Sequence, residues 1–429
     1  MQPPDTLIHT KLRLPSTRAS LVPRPRLAEQ MAAGLRLPLT LIIAPAGSGK
    51  TTLAAGFARD CGIPAAWLAL DKDDNQAGRF LRYVAAALHQ AVPAVGAEAE
   101  RMLAVSGQAP SEAVLTSLVN DLDDCSCEVA LILDDYQFIS SQAAHDQTAF
   151  LLEHCPERLH LLIASRSDPP LPLARLRARG LIAEVRGADL SFSASEAAVF
   201  LNHVMGLHLD EASVGVLNER TEGWAAGLQM AALSMHDRHD IPAFIQAFSG
   251  TNRYILDYLL EEVLAGQPQE IQDFLLHTSI LERLCAPLCD RVLADLDPPP
   301  SRDSASMMDH LDRSNIFLVS LDDERRWYRY HHLFADLLHA QLQKSEGQQA
   351  VKRLHLRAAA WYEASGMIVE AVNHSLSAGE YDRAAQLVEE NTTRLLAQGE
   401  LNSLMSWVEM LPVEVRMARP WLCVHQAYA

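Results

Sequence analysis

The chain lacks several things that would place it in easily excluded classes. No run of apolar residues approaches the length needed to span a bilayer, so no membrane partner is expected. The first residues, Met1-Gln2-Pro3-Pro4-Asp5, have neither the basic region nor the apolar stretch of a secretion signal. Seven cysteines are present but none lies in a CxxC pair. Cys125 and Cys127 stand too close in sequence for an ordinary bridge, and Cys285 with Cys289 lacks the partners of a zinc site. The odd count and scattered spacing fit a reducing, cytoplasmic setting. Positive charge is also short, since the formal net charge is -18, which argues against the chain as a whole clamping nucleic acid. What is plentiful is apolar residue content, 49% of 429 residues, enough to fill large cores. That length suggests about three domains.

The most informative stretch is Ala44-Pro45-Ala46-Gly47-Ser48-Gly49-Lys50-Thr51-Thr52. It follows the apolar run Leu39 to Ile43 and opens a helix-like segment at Leu53 to Ala58. Strand, glycine-rich loop and helix in that order are the context of a P-loop, in which loop amides and a helix N-terminus face a phosphate chain. Ala46, Gly47, Ser48, Gly49, Lys50, Thr51 and Thr52 are therefore nucleotide-binding candidates. Lys50 suits the outer phosphates and the Thr51 hydroxyl suits Mg²⁺. Ala44 stands where the first glycine usually is, while Gly47 and Gly49, nearest the phosphates, are intact.

Up to about residue 190, apolar runs alternate with helical stretches. The runs are Leu39 to Ile43, Ala66 to Leu70, Val129 to Leu133, Leu159 to Ile163 and Ile182 to Val185; the helices include Phe80 to Ala91 and Ser111 to Leu122. Such alternation predicts an α/β fold, a parallel sheet covered on both faces. From Ser193 the strand runs stop, and Ser193-Ala194-Ser195-Glu196 reads as a capping box opening a helical domain over 191–268. Residues 269–345 read as a winged helix. Its helices are expected near Ile271 to Thr278, Pro287 to Leu293 and Ser306 to Asp312, followed by strands Ile316 to Leu321 and Trp327 to Tyr330. Its wing carries both signs of charge, which favours a structural role over DNA contact. Residues 346–429 read as helix pairs, with small residues such as Ala371 and Ala384 beside Trp361, Tyr362 and Tyr381, like the start of a tetratricopeptide-type superhelix. The chain stops just after another helix start at Trp421 to Val424, as a truncated solenoid would.

The run Val129 to Leu133 ends in Asp134-Asp135. A carboxylate at such a strand tip lies beside a P-loop and holds Mg²⁺, the role expected of Asp134. Asp135 would polarise the attacking water. Aspartate is one methylene shorter than the glutamate of many fast ATPases, so slow hydrolysis is expected. The strand Leu161 to Ser165 ends in Arg166, placed to sense a γ-phosphate, although a surface arginine in a loop fits the same pattern. Arg175, Arg177 and Arg179 read as a basic helix face rather than an arginine finger. In the segment Thr17 to Leu27, Leu21 and Val22 would pack on adenine while Arg24 or Arg26 makes polar contacts; an ordinary proline-rich lead-in is the other reading. Gly223-Trp224-Ala225-Ala226-Gly227-Leu228 reads as core by residue type. Tyr330-His331-His332-Leu333-Phe334 reads as a histidine pair at a helix start, without a third metal ligand.

Taken together and in order, these motifs resemble the MalT-type, LuxR-family ATP-dependent regulators among the signal-transducing STAND ATPases. The Ala-first P-loop matches that family too. The resemblance implies a nucleotide-binding domain over 1–190, then helical, winged-helix and superhelical sensor domains, with ATP or ADP and Mg²⁺ as cofactors. It implies slow ATP hydrolysis, an inducer of unknown identity at the sensor, and self-association in the active state. DNA contact would come from a C-terminal helix-turn-helix that this chain does not contain. It also implies that His331 or His332 touches the ADP β-phosphate, with His331 the candidate. The competing class is an AAA-type motor or another P-loop enzyme, which would want a glutamate after the strand-tip aspartate and a clear trans-acting arginine.

Overall fold

The computed structural model describes residues 7–16, 21–105, 111–154, 156–235, 240–294, 296, 301–397 and 401–419. The triple proline at 298–300, the expected helix start at Trp421 and residues 17–20 of the lead-in lie outside them. The chain divides into two compact units, residues 1–248 with 313–315, and residues 249–312 with 316–429.

In the first unit, five parallel strands form one sheet: β1 (Leu39–Ile43), β2 (Ala65–Ala69), β3 (Val129–Asp134), β4 (Leu159–Ser165) and β5 (Ile182–Arg186). Their order is β2-β3-β4-β1-β5. Each expected apolar run is a strand, shifted by at most a residue or two. Successive residues of β1, β3 and β4 feed opposite cores. Leu39, Leu41, Ile43, Leu131, Leu133, Leu161 and Ile163 pack with helix Ala77–Ala91 on one face. Ile42, Ile132, Leu162 and Ala164 pack with Leu27, Met31, Ala54 and Ala58 on the other. Burial on both faces is why these strands read as unbroken apolar runs rather than as alternating ones.

The polar stitching of this unit was not legible in the sequence. Lys11 is buried and paired with Asp74, which is wholly buried and also held by Arg79 Nε at 3.3 Å; Lys11 lies 3.0 Å from Asp71. The Lys11 ammonium sits 4.5 Å over the Tyr83 ring, whose hydroxyl accepts from the Ile8 amide at 3.1 Å. This network ties the short turn His9–Leu12 to the loop after β2. Asn75 then joins that loop to the one after β3. It donates to Phe138 O at 2.8 Å, and its Oδ1 accepts from the Ser141 amide at 2.8 Å, ahead of helix Gln142–Glu153.

Beyond β5, the Ser193–Glu196 capping box forms in both directions, at 3.2 Å from the Glu196 amide and 3.0 Å from the Ser193 amide. Helices Glu211–Thr221 and Ala225–Met235 follow.

The second unit contains helices Gln269–Thr278, Ala286–Leu293 and Ser304–Arg313, the antiparallel hairpin of β6 (Leu318–Ser320) and β7 (Tyr328–Tyr330), and helix His332–Ala364, which breaks at Gly347. The wing strands are shorter than the sequence suggests. Asn315 and Phe317 take positive φ just before β6, which delays its pairing. The Tyr330 hydroxyl meets Thr278 Oγ1 at 2.7 Å, fastening the wing to the first helix. Helices Ile368–Ala378, Tyr381–Ala397, Leu401–Met410 and Val413–Ala418 continue as the antiparallel pairs of a tetratricopeptide-like stack. No described helix is long and apolar enough to cross a membrane.

Within that stack His355 and His374 face each other, Nδ1 to Nδ1 at 2.8 Å, and Tyr362 stacks on His374 with ring centroids 5.3 Å apart. Burial pushes the pKa of His355 down to about 4 and that of His374 down to about 3, each lowered further by a neighbouring histidine. The unfolded chain binds these protons near pH 6.5 and the folded chain resists them. Stability of this unit is therefore fully present above about pH 6.5 and falls as pH drops toward the folded values, by up to about 1.4 kcal/mol per pH unit per histidine. Thermal melts between pH 7 and 5 should show this loss, and the double variant His355→Leu/His374→Leu should flatten it. An unchanged slope in that variant would show that the pair does not titrate with unfolding.

Candidate nucleotide site

The sheet order decides the site. β4 lies between β1 and β3, so the tips carrying the glycine loop, Arg166 and Asp134 stand side by side at the C-terminal edge. β1 is buried along its whole length and releases the chain into the loop. Gly47 at φ 71° and Gly49 at φ 89° take left-handed backbone that a side chain would strain. Gly49 is also the N-cap of helix Lys50–Asp60 and has no side chain to satisfy its first amides. Those donors stay available to an anion.

Lys50 is only 7% exposed and donates to Ala44 O at 2.8 Å and Pro45 O at 2.9 Å. Burial lowers its pKa to about 8, helped by the Arg166 charge and opposed by Asp135 and Asp134. Asp134 is 3% exposed. Burial pushes its carboxyl up to about 6, with the Asp135 charge acting in the same direction and a hydrogen bond from Thr51 pulling it back. Its Oδ1 is buried and has no hydrogen-bond partner. A buried carboxylate oxygen left open, beside a hydroxyl and an ammonium, fits a divalent cation held by oxygen ligands. Thr51, Asp134, Lys50 and Arg166 are thus brought together as the sequence suggested.

Asp135 sits at φ 58°, ψ 38°, a left-handed conformation that costs an ordinary residue energy and turns the chain sharply after β3. Tyr136 anchors that turn from beneath: its buried hydroxyl donates to Thr148 Oγ1 and contacts His145 Nδ1, each at 3.1 Å. Thr148 itself donates to Ala144 O, so His145 Nδ1 carries the proton of its contact with Tyr136. Gln137 is the residue that sequence reasoning missed. Its Nε2 donates to Asp135 Oδ1 at 2.8 Å, and its Oε1 accepts from the Arg166 amide at 3.0 Å. One amide side chain thus fixes both the β3 and β4 tips. A glutamine in a turn carries no sequence signal for this; the pairing exists only because the two strands are neighbours.

Trp224 is not plain core. Its indole Nε1–H donates to Ala46 O at 2.9 Å, and the Ala226 amide donates to Gly47 O at 3.1 Å. A Cβ on Gly227 would come within 2.7 Å of the indole, so glycine there leaves room for the Trp224 ring. The lead-in is arranged differently from expectation. The Arg24 guanidinium is committed to Leu190 O at 2.8 Å, Ser191 O at 2.9 Å and Glu196 Oε1 at 3.1 Å, and lies over the Phe192 ring at 4.8 Å. Arg26 donates to Asp189 O at 2.7 Å. Both arginines bind this segment to the chain after β5, leaving half-buried Val22 and exposed Leu21 as its apolar surface. Arg177 pairs with Glu184 and Asp168, and Arg175 with Glu153, as a solvated basic face would.

Ser48 is buried within the loop, and Thr52 is exposed in the first turn of the helix. In the second unit the two histidines diverge: His331 is buried, stands just before helix His332–Ala364 without a side-chain capping bond and meets Phe317 edge-on at 5.5 Å, while His332 is exposed. Among the described residues no cluster of three or more His, Cys, Asp or Glu is arranged to hold a metal; the cation fit above rests on Thr51 and Asp134 alone.

Replacing Trp224 with phenylalanine keeps the ring and removes the donor to Ala46. The first unit should lose about 1–3 kcal/mol in denaturant unfolding. A parent-like midpoint would remove Trp224 from any role in holding the loop.

Comparisons with known proteins agree with the fold. Residues 260–350 match the MalT winged helix domain. The chain is 35% identical over 423 residues to the serine/threonine-protein kinase PknK of Mycobacterium tuberculosis, covering 98% of this chain and 38% of that protein. It is 31% identical over 426 residues to the HTH-type transcriptional regulator MalT of Yersinia enterocolitica, and 30% identical over 424 residues to that of Vibrio cholerae, covering 98% of this chain and 46% of each. The chain thus spans less than half the length of these curated relatives. A Walker-type ATPase of Pyrococcus abyssi shares the fold, with TM-score 0.53 at 15% identity over 77% of this chain and 99% of that one. Relatives with different printed activities share this region, which carries the MalT winged helix domain over residues 260–350 and resembles the MalT regulators over nearly its whole length.

Proposed function

We propose that this region is the nucleotide-operated switch of a transcriptional regulator, and that it binds ATP and ADP with Mg²⁺ and hydrolyses ATP slowly. The observation that carries the reading is the open Oδ1 of buried Asp134 beside Thr51 and Lys50. Gly47, Ser48, Gly49 and Thr52 would receive the phosphates through loop and helix amides, and Lys50 would neutralise the outer ones. Ala46 takes part through its backbone. Thr51 and Asp134 would hold Mg²⁺, which when bound offsets charge on the phosphates. Asp135, oriented by Gln137, would polarise the attacking water, and Arg166 would sense the γ-phosphate. Val22 would pack on adenine, with Arg24 setting the position of its segment. Inducer-controlled self-association, a cytoplasmic location and an ADP contact by His331 belong to the same reading and rest on the resemblance. DNA contact belongs to a module outside these residues. An AAA-type motor is disfavoured by aspartate, not glutamate, at 135.

The first test is the nucleotide released on denaturing the purified protein, expected to be ADP. Lys50→Ala should weaken ATP and ADP by at least about tenfold, or about 1.4 kcal/mol; unchanged calorimetric affinity would refute the site.

The two aspartates should separate. Asp135→Asn should spare ATP affinity and slow hydrolysis by at least about a hundredfold. Asp134→Asn should blunt the Mg²⁺ dependence of binding. With its carboxyl near 6, Asp134 gains a proton as pH falls through that value, so Mg²⁺-dependent affinity should decline there in the parent and not in Asp134→Asn. Parent-like hydrolysis in both variants would show these roles to be wrong.

A further inference from the structure

At the opposite end of β3 from Asp134, the loop leaving helix Ser111–Asp124 holds Cys125 and Cys127 with their sulfurs 3.0 Å apart. One intervening residue made a bridge look unlikely from spacing alone; the fold instead turns both thiols to the same side. We propose that Cys125 and Cys127 are a reversible dithiol–disulfide site, oxidised by a small disulfide of the glutathione class. The Cys127 amide also points at Cys125 Sγ, at 3.5 Å. Arg158 binds the Cys125 and Asp123 carbonyls and brings its guanidinium beside the thiols. Hydrogen bonds from the Cys127 thiol and amide hold the Cys125 thiol below its usual range, with Arg158 assisting against burial, while Cys127 is pushed up. That asymmetry makes Cys125 the attacking thiolate and Cys127 the resolving thiol. The other described cysteines are arranged otherwise. Cys61 turns to the Ala58 and Ile63 carbonyls, and burial raises both Cys285 and Cys289.

The exchange balances. The Cys125 thiolate attacks one sulfur of glutathione disulfide, whose S–S bond breaks and releases a glutathione thiolate. Cys127 loses its proton and attacks the Cys125 sulfur of the mixed disulfide, releasing the second glutathione. The protein gives up two electrons and two protons, and glutathione disulfide is reduced to two thiols. A bridge across one residue closes a small, strained ring, which is readily reduced again. The site is therefore reversible rather than a structural staple.

The test is incubation of the folded full chain with oxidised glutathione, read by peptide mass and free-thiol titration. The peptide holding both cysteines should lose two hydrogens, recover them with dithiothreitol, and oxidise at least about tenfold faster than in the urea-unfolded chain, because the fold pre-positions the sulfurs. Cys127→Ser should instead retain a glutathione on Cys125. Serine is close in size to cysteine, and a parent-like melting temperature confirms that this variant is folded. A pair that stays reduced, or that oxidises no faster folded than unfolded, would overturn the proposal.

Discussion

Burial of the five parallel strands on both faces is the constraint from which the nucleotide site follows. A parallel sheet points every strand the same way, so all C-terminal tips open at one edge. Apart from buried Thr40 and His160, β1, β3 and β4 are apolar until their C-terminal ends, where the charged groups stand. Asp134 therefore ends buried to 3% exposure yet one residue from solvent, next to a lysine and an arginine from neighbouring tips. The raised carboxyl and lowered ammonium both have burial as their main cause, which means both are held ready for charges that a nucleotide and a cation would bring.

Around that edge, the loop is gripped through its backbone. Trp224 and Ala226 take the carbonyls of Ala46 and Gly47, which leaves the loop amides to face the other way. Gln137 locks the tips of β3 and β4, and Arg24 binds the lead-in to the chain after β5. All but the Gln137–Asp135 bond join segments far apart in sequence. The bonds to Trp224 and Ala226 join the loop to the start of helix Ala225–Met235 within one compact unit.

The second unit relies on a different device. Its helix pairs close around two histidines that bond each other through Nδ1, with Tyr362 stacked on His374 and its hydroxyl donating to Arg283 O. Such a pair specifies how the helices meet, and it makes that packing sensitive to acid.

The sequence by itself determined the element order, the two-faced sheet, the Ser193–Glu196 cap and the loop carrying Gly47, Gly49, Lys50 and Thr51, because these follow from local periodicity and from residues with few conformational alternatives. It also pointed to Asp134, Asp135 and Arg166, since strand tips beside a glycine loop have few other neighbours. Only the tertiary structure decided what Gln137, Trp224 and Arg24 hold, how the Lys11–Asp74 network anchors the first turn, that His331 is buried while His332 is exposed, and that two cysteines one residue apart turn the same way. Those outcomes depend on which strands become neighbours and which carbonyls are left without partners. Strand order and backbone satisfaction belong to the folded chain as a whole, and no local pattern of residues encodes them.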